Sequence, residues 1–165
     1  MALTSLPAAG SKLRATVLES LITEVRDPIA YKTADETIAS STTLQNDDEL
    51  FVTVAANAAY RLQHDFVFNS GTTPDIKFTY SLPSGGAGKV IGWAHNTSNV
   101  IFTFNGLATA TYSLSGIAAV AFVRVSGYIT TSSAGTVQVQ WAQNTSDPGS
   151  TTVLAGSSLQ LTRVS

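Results

Sequence analysis

From Pro28 to the end of the chain, apolar side chains recur at every second position. Successive side chains of a β-strand point to opposite faces, so this period of two predicts strands with one buried face. Eight segments are predicted as strands: residues 49–54, 60–68, 75–82, 89–94, 99–104, 120–130, 136–143 and 158–164. Clusters of Gly, Ser, Asn and Pro separate them and predict turns.

The number and spacing of these segments define the fold class. Residues 28–32 and 37–44 are predicted as two further, short edge strands. Eight to ten short strands about ten residues apart, without a second helix, are typical of an all-β sandwich or jelly roll. A chain of 165 residues suits one domain with a substantial core, and residues 28–165 are predicted to form it.

Residues 1–27 have a different pattern, which predicts an N-terminal arm with one amphipathic helix. Ser11 is a candidate N-cap, and Asp27-Pro28 ends the helix because a residue before proline avoids helical geometry. The apolar stripe consists of Leu13, Val17, Leu18, Leu21, Ile22 and Val25. A helix of about 24 Å is marginal alone in water, so this stripe needs a partner. That partner is the domain's own sheet, sister copies or a larger particle.

Composition narrows the function classes. Only 12% of the residues are charged, and between residues 90 and 165 the formal charges are Arg124, Asp147 and Arg163. A nearly neutral surface of this kind favours a protein that is buried in an assembly. The chain has no basic stripe for nucleic acid, no cysteine and no apolar run long enough to span a membrane. Its N-terminus does not resemble a secretory signal, which predicts synthesis in a cytoplasm.

Two predicted strands have an unusual second face. Their first faces, Val123, Val125 and Ile129 in one strand and Val137, Val139 and Trp141 in the other, are predicted to be core. The opposite faces hold Phe122, Arg124 and Tyr128, and Gln138 and Gln140. A polar face is usually just solvated. Aromatic residues and arginine are also enriched in subunit interfaces, so these five residues form the candidate face for a homotrimer interface.

Motifs for chemistry are scarce. His64 and Asp65 are neighbours in a strand, so their side chains point to opposite faces and cannot form a dyad. Residues 83–90 (PSGGAGKV) lack the spacing of a phosphate-binding loop and predict a hairpin turn. Residues 46–50 (NDDEL) lack the spacing of a calcium loop and predict a solvated acidic turn. The sequence therefore predicts no catalytic residue, no metal site, no cofactor and no enzyme activity.

One hexapeptide occurs twice with a single change, as WAHNTS at residues 93–98 and WAQNTS at residues 141–146. Each copy follows an alternating strand, and the sequences that flank the two copies differ. The pair therefore predicts two strand exits, each with a tryptophan at a core or interface rim and a polar turn after it.

Several phrases in residues 31–62 carry a family resemblance. They are Lys32-Thr33-Ala34-Asp35-Glu36, Ser41-Thr42-Thr43-Leu44-Gln45, Asp47-Asp48, and Ala56-Asn57 with Tyr60. Together with the C-terminal strands they resemble small β-rich structural proteins of tailed bacteriophages, especially those of actinobacteria. The resemblance implies a jelly roll akin to the C1q and tumour-necrosis-factor type, usually trimeric, displayed on the surface of the virion.

Two functions follow as expectations. In the first, the chain is a non-enzymatic, trimeric capsid decoration or head-fibre protein whose partner is the major capsid protein. In the second, it is a tail-fibre or minor tail protein that binds a receptor such as a host surface glycan. Residues 69–74 (NSGTTP) and 144–150 (NTSDPGS) are then the candidate loop tips.

Overall fold

The computed structural model describes residues 28–95, 101–107, 111–114 and 120–165, with the backbone alone at residue 95 and residues 101–107. These residues form strands and turns and contain no helix. The strands are β1 (Ile29–Tyr31), β2 (Glu36–Ile38), β3 (Gln45–Val54), β4 (Ala58–Ser70), β5 (Ile76–Ser81), β6 (Ala87–His95), β7 (Ile101–Leu107), β8 (Tyr112–Leu114), β9 (Val120–Thr131), β10 (Gly135–Ala142), β11 (Thr151–Val153) and β12 (Ser158–Arg163).

The positions of the predicted strands are confirmed, but the predicted number of strands is lower than the observed number. Each of the eight main predicted segments overlaps one strand, the segment 28–32 contains β1, and the segment 37–44 overlaps β2 only at Thr37 and Ile38. The prediction of eight to ten strands misses β8 and β11, and the described residues form twelve. Both missed strands are three residues long, which is too short for a period of two to stand out from a loop.

The strands form two antiparallel sheets, and the predicted β-sandwich is confirmed. The larger sheet has eight strands, with the order β1-β12-β4-β9-β6-β7 and with β11 and β2 attached beside the end of β4. The smaller sheet has the order β3-β10-β5-β8. Strand β4, with 13 residues, pairs with β12 and β11 along one side and with β9 along the other.

Five strand pairs are nested within one another along the chain. Strand β1 pairs with β12, β2 with β11, β3 with β10, β4 with β9, and β5 with β8. Both sheets are therefore built by one long hairpin that is rolled up, with the β3–β10 and β5–β8 pairs in the smaller sheet and the other three pairs in the larger sheet. The hairpin of β6 and β7 lies outside this nest and extends the larger sheet beyond β9.

The core lies between the two sheets and follows the predicted alternation. Val123, Val125 and Ile129 of β9 are fully buried, as are Val137, Val139 and Trp141 of β10, so both predicted core faces are confirmed. Strand β4 contributes Leu62 and Phe66 to the same core. Each such side chain contributes roughly 1.5–3 kcal/mol on burial, which makes this alternation the main stabilising pattern of the fold.

The predicted helix lies outside the described residues. The same holds for its apolar stripe, which consists of Leu13, Val17, Leu18, Leu21, Ile22 and Val25. The described domain starts at Pro28, whose carbonyl oxygen accepts a hydrogen bond from the backbone N–H of Leu161 (3.0 Å). This contact fixes the start of β1 beside β12, at the edge of the larger sheet.

Candidate interaction surface

The histidine with a described side chain is placed in the core. His64 is fully buried, and its Nδ1 atom lies 2.7 Å from the hydroxyl oxygen of Tyr80. Its ring contacts those of Phe66 and Phe78 edge-on. Burial lowers the pKa of His64 to about 4, and the negative charges of Asp47 and Asp65 only partly oppose this effect. The neutral imidazole is therefore part of the aromatic core and is closed off from solvent.

The neighbouring carboxylate has a separate role on the other side of the sheet. Asp65 accepts two hydrogen bonds of 2.7 Å from Arg124, one from Nε and one from an amino group of the guanidinium. The prediction that His64 and Asp65 point to opposite faces is confirmed. Among the described residues, no three His, Asp or Glu side chains lie close enough together to hold a metal ion.

The acidic segment 46–50 differs from its prediction. It belongs to β3, and Asp47 is buried, so the prediction of a solvated acidic turn is wrong at this position. The ammonium group of Lys32 lies 2.9 Å from Asp47 and 2.8 Å from Glu36, and Asp47 also accepts the backbone N–H groups of Glu49 and Leu50. The buried carboxylate of Asp47 needs partners of this kind, and Lys32 provides the positive charge although it lies 15 residues away in the sequence.

This ionic cluster joins two segments of the sequence, residues 32–36 and residues 47–48. Burial lowers the pKa of Lys32, but the hydrogen bonds and charges of Glu36 and Asp47 outweigh burial and raise it overall. Glu49 accepts the backbone N–H groups of Thr33 and Ala34, so the loop after β1 is held against β3. Lys32-Thr33-Ala34-Asp35-Glu36 and Asp47-Asp48 therefore close one side of the sandwich. Their role is structural.

The outer face of the eight-stranded sheet carries most of the exposed apolar side chains. Of nine exposed large apolar residues in the described part of the chain, seven lie on this face: Ile29, Tyr31, Ile91, Trp93, Val120, Phe122 and Tyr128. Strand pairing aligns them in rows. One row runs Tyr31, Ser158, Asp65, Arg124 and Trp93 across β1, β12, β4, β9 and β6.

The apolar residues on β6 and β9 form one patch, which we call the aromatic face (Ile91, Trp93, Val120, Phe122 and Tyr128). Trp93 is 42% exposed and Tyr128 is 51% exposed. Arg124 lies at the centre, with its guanidinium carbon 5.6 Å from the centroid of the Phe122 ring. The hydrogen bonds and charge of Asp65 raise the pKa of Arg124. The aromatic face thus has the aromatic and arginine composition of a protein interface.

The outer face of the four-stranded sheet is different. Phe51 is its one exposed large apolar residue among the described positions. Its polar side chains bond to the protein itself: the amide of Gln138 donates to the carbonyl oxygen of Asp47 (2.7 Å), and the amide of Gln140 donates to the Asn46 side chain (2.8 Å). Among the described residues, the outer face of the larger sheet therefore presents seven exposed large apolar side chains and that of the smaller sheet presents one.

The structure therefore divides the predicted interface residues between two surfaces. Phe122, Arg124 and Tyr128 are exposed together on β9, in the eight-stranded sheet. Gln138 and Gln140 belong to β10 and lie on the opposite side of the sandwich. The five residues do not share one face, because alternation shows which side of a strand a residue occupies but not which sheet the strand joins.

The sequence prediction missed the apolar residues beside β9. Ile91 and Trp93 lie on one side of β6, opposite Val90 and Ala94, which are buried. This alternation is visible in the sequence KVIGWA and could have identified a second strand with an apolar outer face. Ile29 and Tyr31 were harder to find, because β1 has three residues and only one of them is buried.

The repeated hexapeptide serves two purposes. Trp141 is fully buried in the core, whereas Trp93 is exposed on the aromatic face. In the second copy, the side-chain oxygen of Gln143 accepts the backbone N–H groups of Ser41 and Asp147, and its amide donates to the carbonyl of Gly149. Gln143 thus organises the loop that follows β10. Residues 96–98 of the first copy lie outside the described residues.

The two candidate loop tips meet at one end of the sandwich. The backbone N–H groups of Asn144 and Thr145 donate to the carbonyl oxygen of Pro74, over 3.0 and 2.9 Å. The Asn144 side chain also accepts the hydroxyl of Ser113 (2.9 Å). Two loops far apart in sequence therefore form a single polar, hydrogen-bonded surface.

Comparison with known proteins gives no family. No protein-family model matches the chain, and no curated protein matches it. Among solved structures, a chain of the infectious bursal disease virus Gt strain matches with a TM-score of 0.22 and 10% identity, covering 84% of this chain and 43% of the viral one. A chain of the Gx strain matches with a TM-score of 0.21 and 8% identity, covering 82% and 40%. This chain thus spans less than half of either, and scores this low support no inference about function.

No helix in the described part of the chain is long and apolar enough to cross a bilayer.

Proposed function

We propose that this chain is a non-enzymatic structural protein of a tailed-phage virion, a homotrimer that decorates the capsid surface. The observation that carries the proposal is the aromatic face. A cluster of exposed apolar side chains on one face of the larger sheet, in a domain of low charge, is expected of a protein that works in an assembly. Catalysis would instead need reactive groups gathered at an accessible site.

The topology supports the same proposal. Nested pairing of the first strand with the last, through to the innermost pair, is the arrangement of a double-sheet jelly roll, which is used by viral capsid domains and lectins. The resemblance to phage structural proteins implies the same fold. Because the fold by itself does not decide the function, the assembly surface remains the main argument.

Gold-labelled antibodies on intact particles test the location. Label over the head is expected, and label absent from purified particles would refute a virion role. A mass of three times 17.2 kDa for the purified protein is expected from light scattering. A stable monomer at all concentrations would refute the trimer.

The second candidate function is an adhesin on the tail, and the joined loop tips favour it. The contact of Asn144 and Thr145 with Pro74 gives one end of the domain a fixed polar surface of the kind that binds sugars in lectins. Label confined to the tail tip, together with binding to a host glycan array that Asn144→Ala weakens, would support this function over decoration. Label over the head and no glycan binding would refute it.

A further inference from the structure

The exposed apolar residues of the eight-stranded sheet fall into two patches. One is the aromatic face on β6 and β9. The other is at the β1 edge of the same sheet, where Ile29 and Tyr31 are exposed. Strands β12 and β4 separate the two patches with polar side chains, among them Gln160 and Gln63. Two strands lie between the patches, which corresponds to about 14 Å from β1 to β9.

The two patches carry opposite charges at their borders. Arg61 and Lys89 flank Tyr128 of the aromatic face, one on β4 and one on β6. Both are exposed, and neither forms an ion pair among the described residues. With Arg124 and Asp65, the described outer face has three cations and one carboxylate.

Among the described residues, Asp35 and Asp48 supply exposed carboxylates beside the β1 edge. Asp35 follows β1 and accepts the backbone N–H of Ala155 (2.8 Å), and Glu36, the next residue, accepts the backbone N–H of Asp48 on β3 (3.1 Å). We call this second patch the acidic edge (Ile29, Tyr31, Asp35 and Asp48). Each patch therefore combines apolar side chains with one sign of charge.

We propose that the acidic edge of one copy of this chain docks on the aromatic face of the next copy. Ile29 and Tyr31 would cover Trp93 and Phe122, and Asp35 and Asp48 would approach Arg61 and Lys89. This contact rests on the proposed trimer and specifies how the trimer is built. It covers the seven exposed apolar side chains of the face with a single type of interface.

Charge disfavours a contact in which the aromatic faces of two copies meet. Two aromatic faces meeting about a two-fold axis would bring Arg61 and Lys89 of both copies together, and like charges across an interface are unfavourable. Two different patches instead make a head-to-tail contact, which closes into a ring when the rotation allows it. A closed ring of three copies leaves neither patch uncovered.

The first experiment changes one exposed aromatic residue on each sheet. Trp93→Glu is expected to reduce the mass in light scattering from three times 17.2 kDa to 17.2 kDa, with an unchanged β-sheet spectrum by circular dichroism. The matched control is Phe51→Glu on the outer face of the four-stranded sheet, which should leave the trimer intact. If Trp93→Glu does not fold, Tyr128→Glu on the same face is the replacement. A trimer that persists in the folded variant would overturn the proposal.

The second experiment exchanges charges. Lys89→Glu and Asp48→Lys are each expected to raise the dissociation constant of the trimer about three- to fivefold, because each places like charges opposite one another. The double variant restores opposite charges and should recover most of the wild-type affinity. Additive weakening in the double variant would overturn the pairing of edge and face. Neither result affects the antibody labelling of particles, so the contact and the virion role can fail separately.

Discussion

The Nδ1 atom of His64 and the hydroxyl oxygen of Tyr80 lie 2.7 Å apart at the centre of the sandwich, joining the two sheets through a hydrogen bond in an aromatic core. Burial raises the pKa of Tyr80 well above its ordinary value, so the phenol stays protonated and can donate to a neutral His64. The hydrogen bond therefore depends on the imidazole remaining uncharged.

The first prediction is a loss of stability in acid. The pKa of His64 is lowered from 6.5 to about 4, so the unfolded chain binds a proton at a higher pH than the folded one. The free energy of unfolding should therefore fall as the pH drops from about 6.5 to about 4, by about 3 kcal/mol from this residue. Urea denaturation at a series of pH values measures it.

The control for this prediction is His64→Gln, whose amide does not titrate. Carboxylates also affect the acid slope, but they do so in both proteins, so the difference between wild type and variant isolates His64. Identical slopes in the two proteins between pH 6.5 and 4 would contradict the prediction.

The second prediction concerns the buried ammonium group. Lys32→Met should destabilise the domain by about 3–5 kcal/mol, because it leaves Glu36 and Asp47 without their cation. The midpoint of urea denaturation gives the change. Lys77→Met, the same substitution at a half-exposed lysine of β5, should cost less than about 1 kcal/mol. An equal loss in the free energy of unfolding for the two variants would show that the buried ion pairs of Lys32 do not stabilise the domain.

Lys32 and the core residues show which parts of the fold could be predicted from the sequence and which could not. Alternation located the main strands and the core residues Val125 and Val139, because one buried face leaves a period of two. It could not identify the cluster of Lys32 with Asp47, because charge runs are usually solvated and the partners are far apart in sequence. That contact forms only when strands far apart in the sequence are brought together, and this arrangement cannot be predicted from the pattern of a single sequence.

The same limit applied to the interaction surface. Trp93 and Trp141 stand in nearly identical hexapeptides, yet one is exposed and the other is fully buried. The difference arises because β10 turns Trp141 towards the core, whereas β6 turns Trp93 away from it. Sequence alternation could suggest an aromatic outer face on β9, but only the register of β4, β9 and β6 shows which neighbours complete it.

The third prediction tests the close approach of β6 and β9. A Cβ atom added at Gly127 would lie 2.2 Å from the carbonyl oxygen of Lys89 and 2.8 Å from the Cα of Val90. Both are backbone atoms and cannot move aside cheaply, so Gly127→Ala should destabilise the domain by about 3 kcal/mol.

Thermal denaturation compares this variant with Gly71→Ala. There the added Cβ would meet the Pro74 side chain at 3.2 Å, a contact that a small shift can relieve. Gly71→Ala should therefore cost less than about 1 kcal/mol. A Gly127 variant with the melting temperature of wild type would mean that β6 can move away from β9 without loss.

The last prediction uses the two tryptophans as reporters of opposite environments. In Trp141→Phe, the emission comes from Trp93 alone, and in Trp93→Phe it comes from Trp141 alone. If other copies cover the aromatic face, the emission of Trp93 should shift to longer wavelength on dilution, over the same concentrations at which the mass falls. Trp141 is fully buried within one copy, so its emission should stay at short wavelength, insensitive to dilution and to acrylamide. If Trp93 emission is constant while the mass changes, the copies associate through another surface. If both emissions shift together, dissociation unfolds the domain.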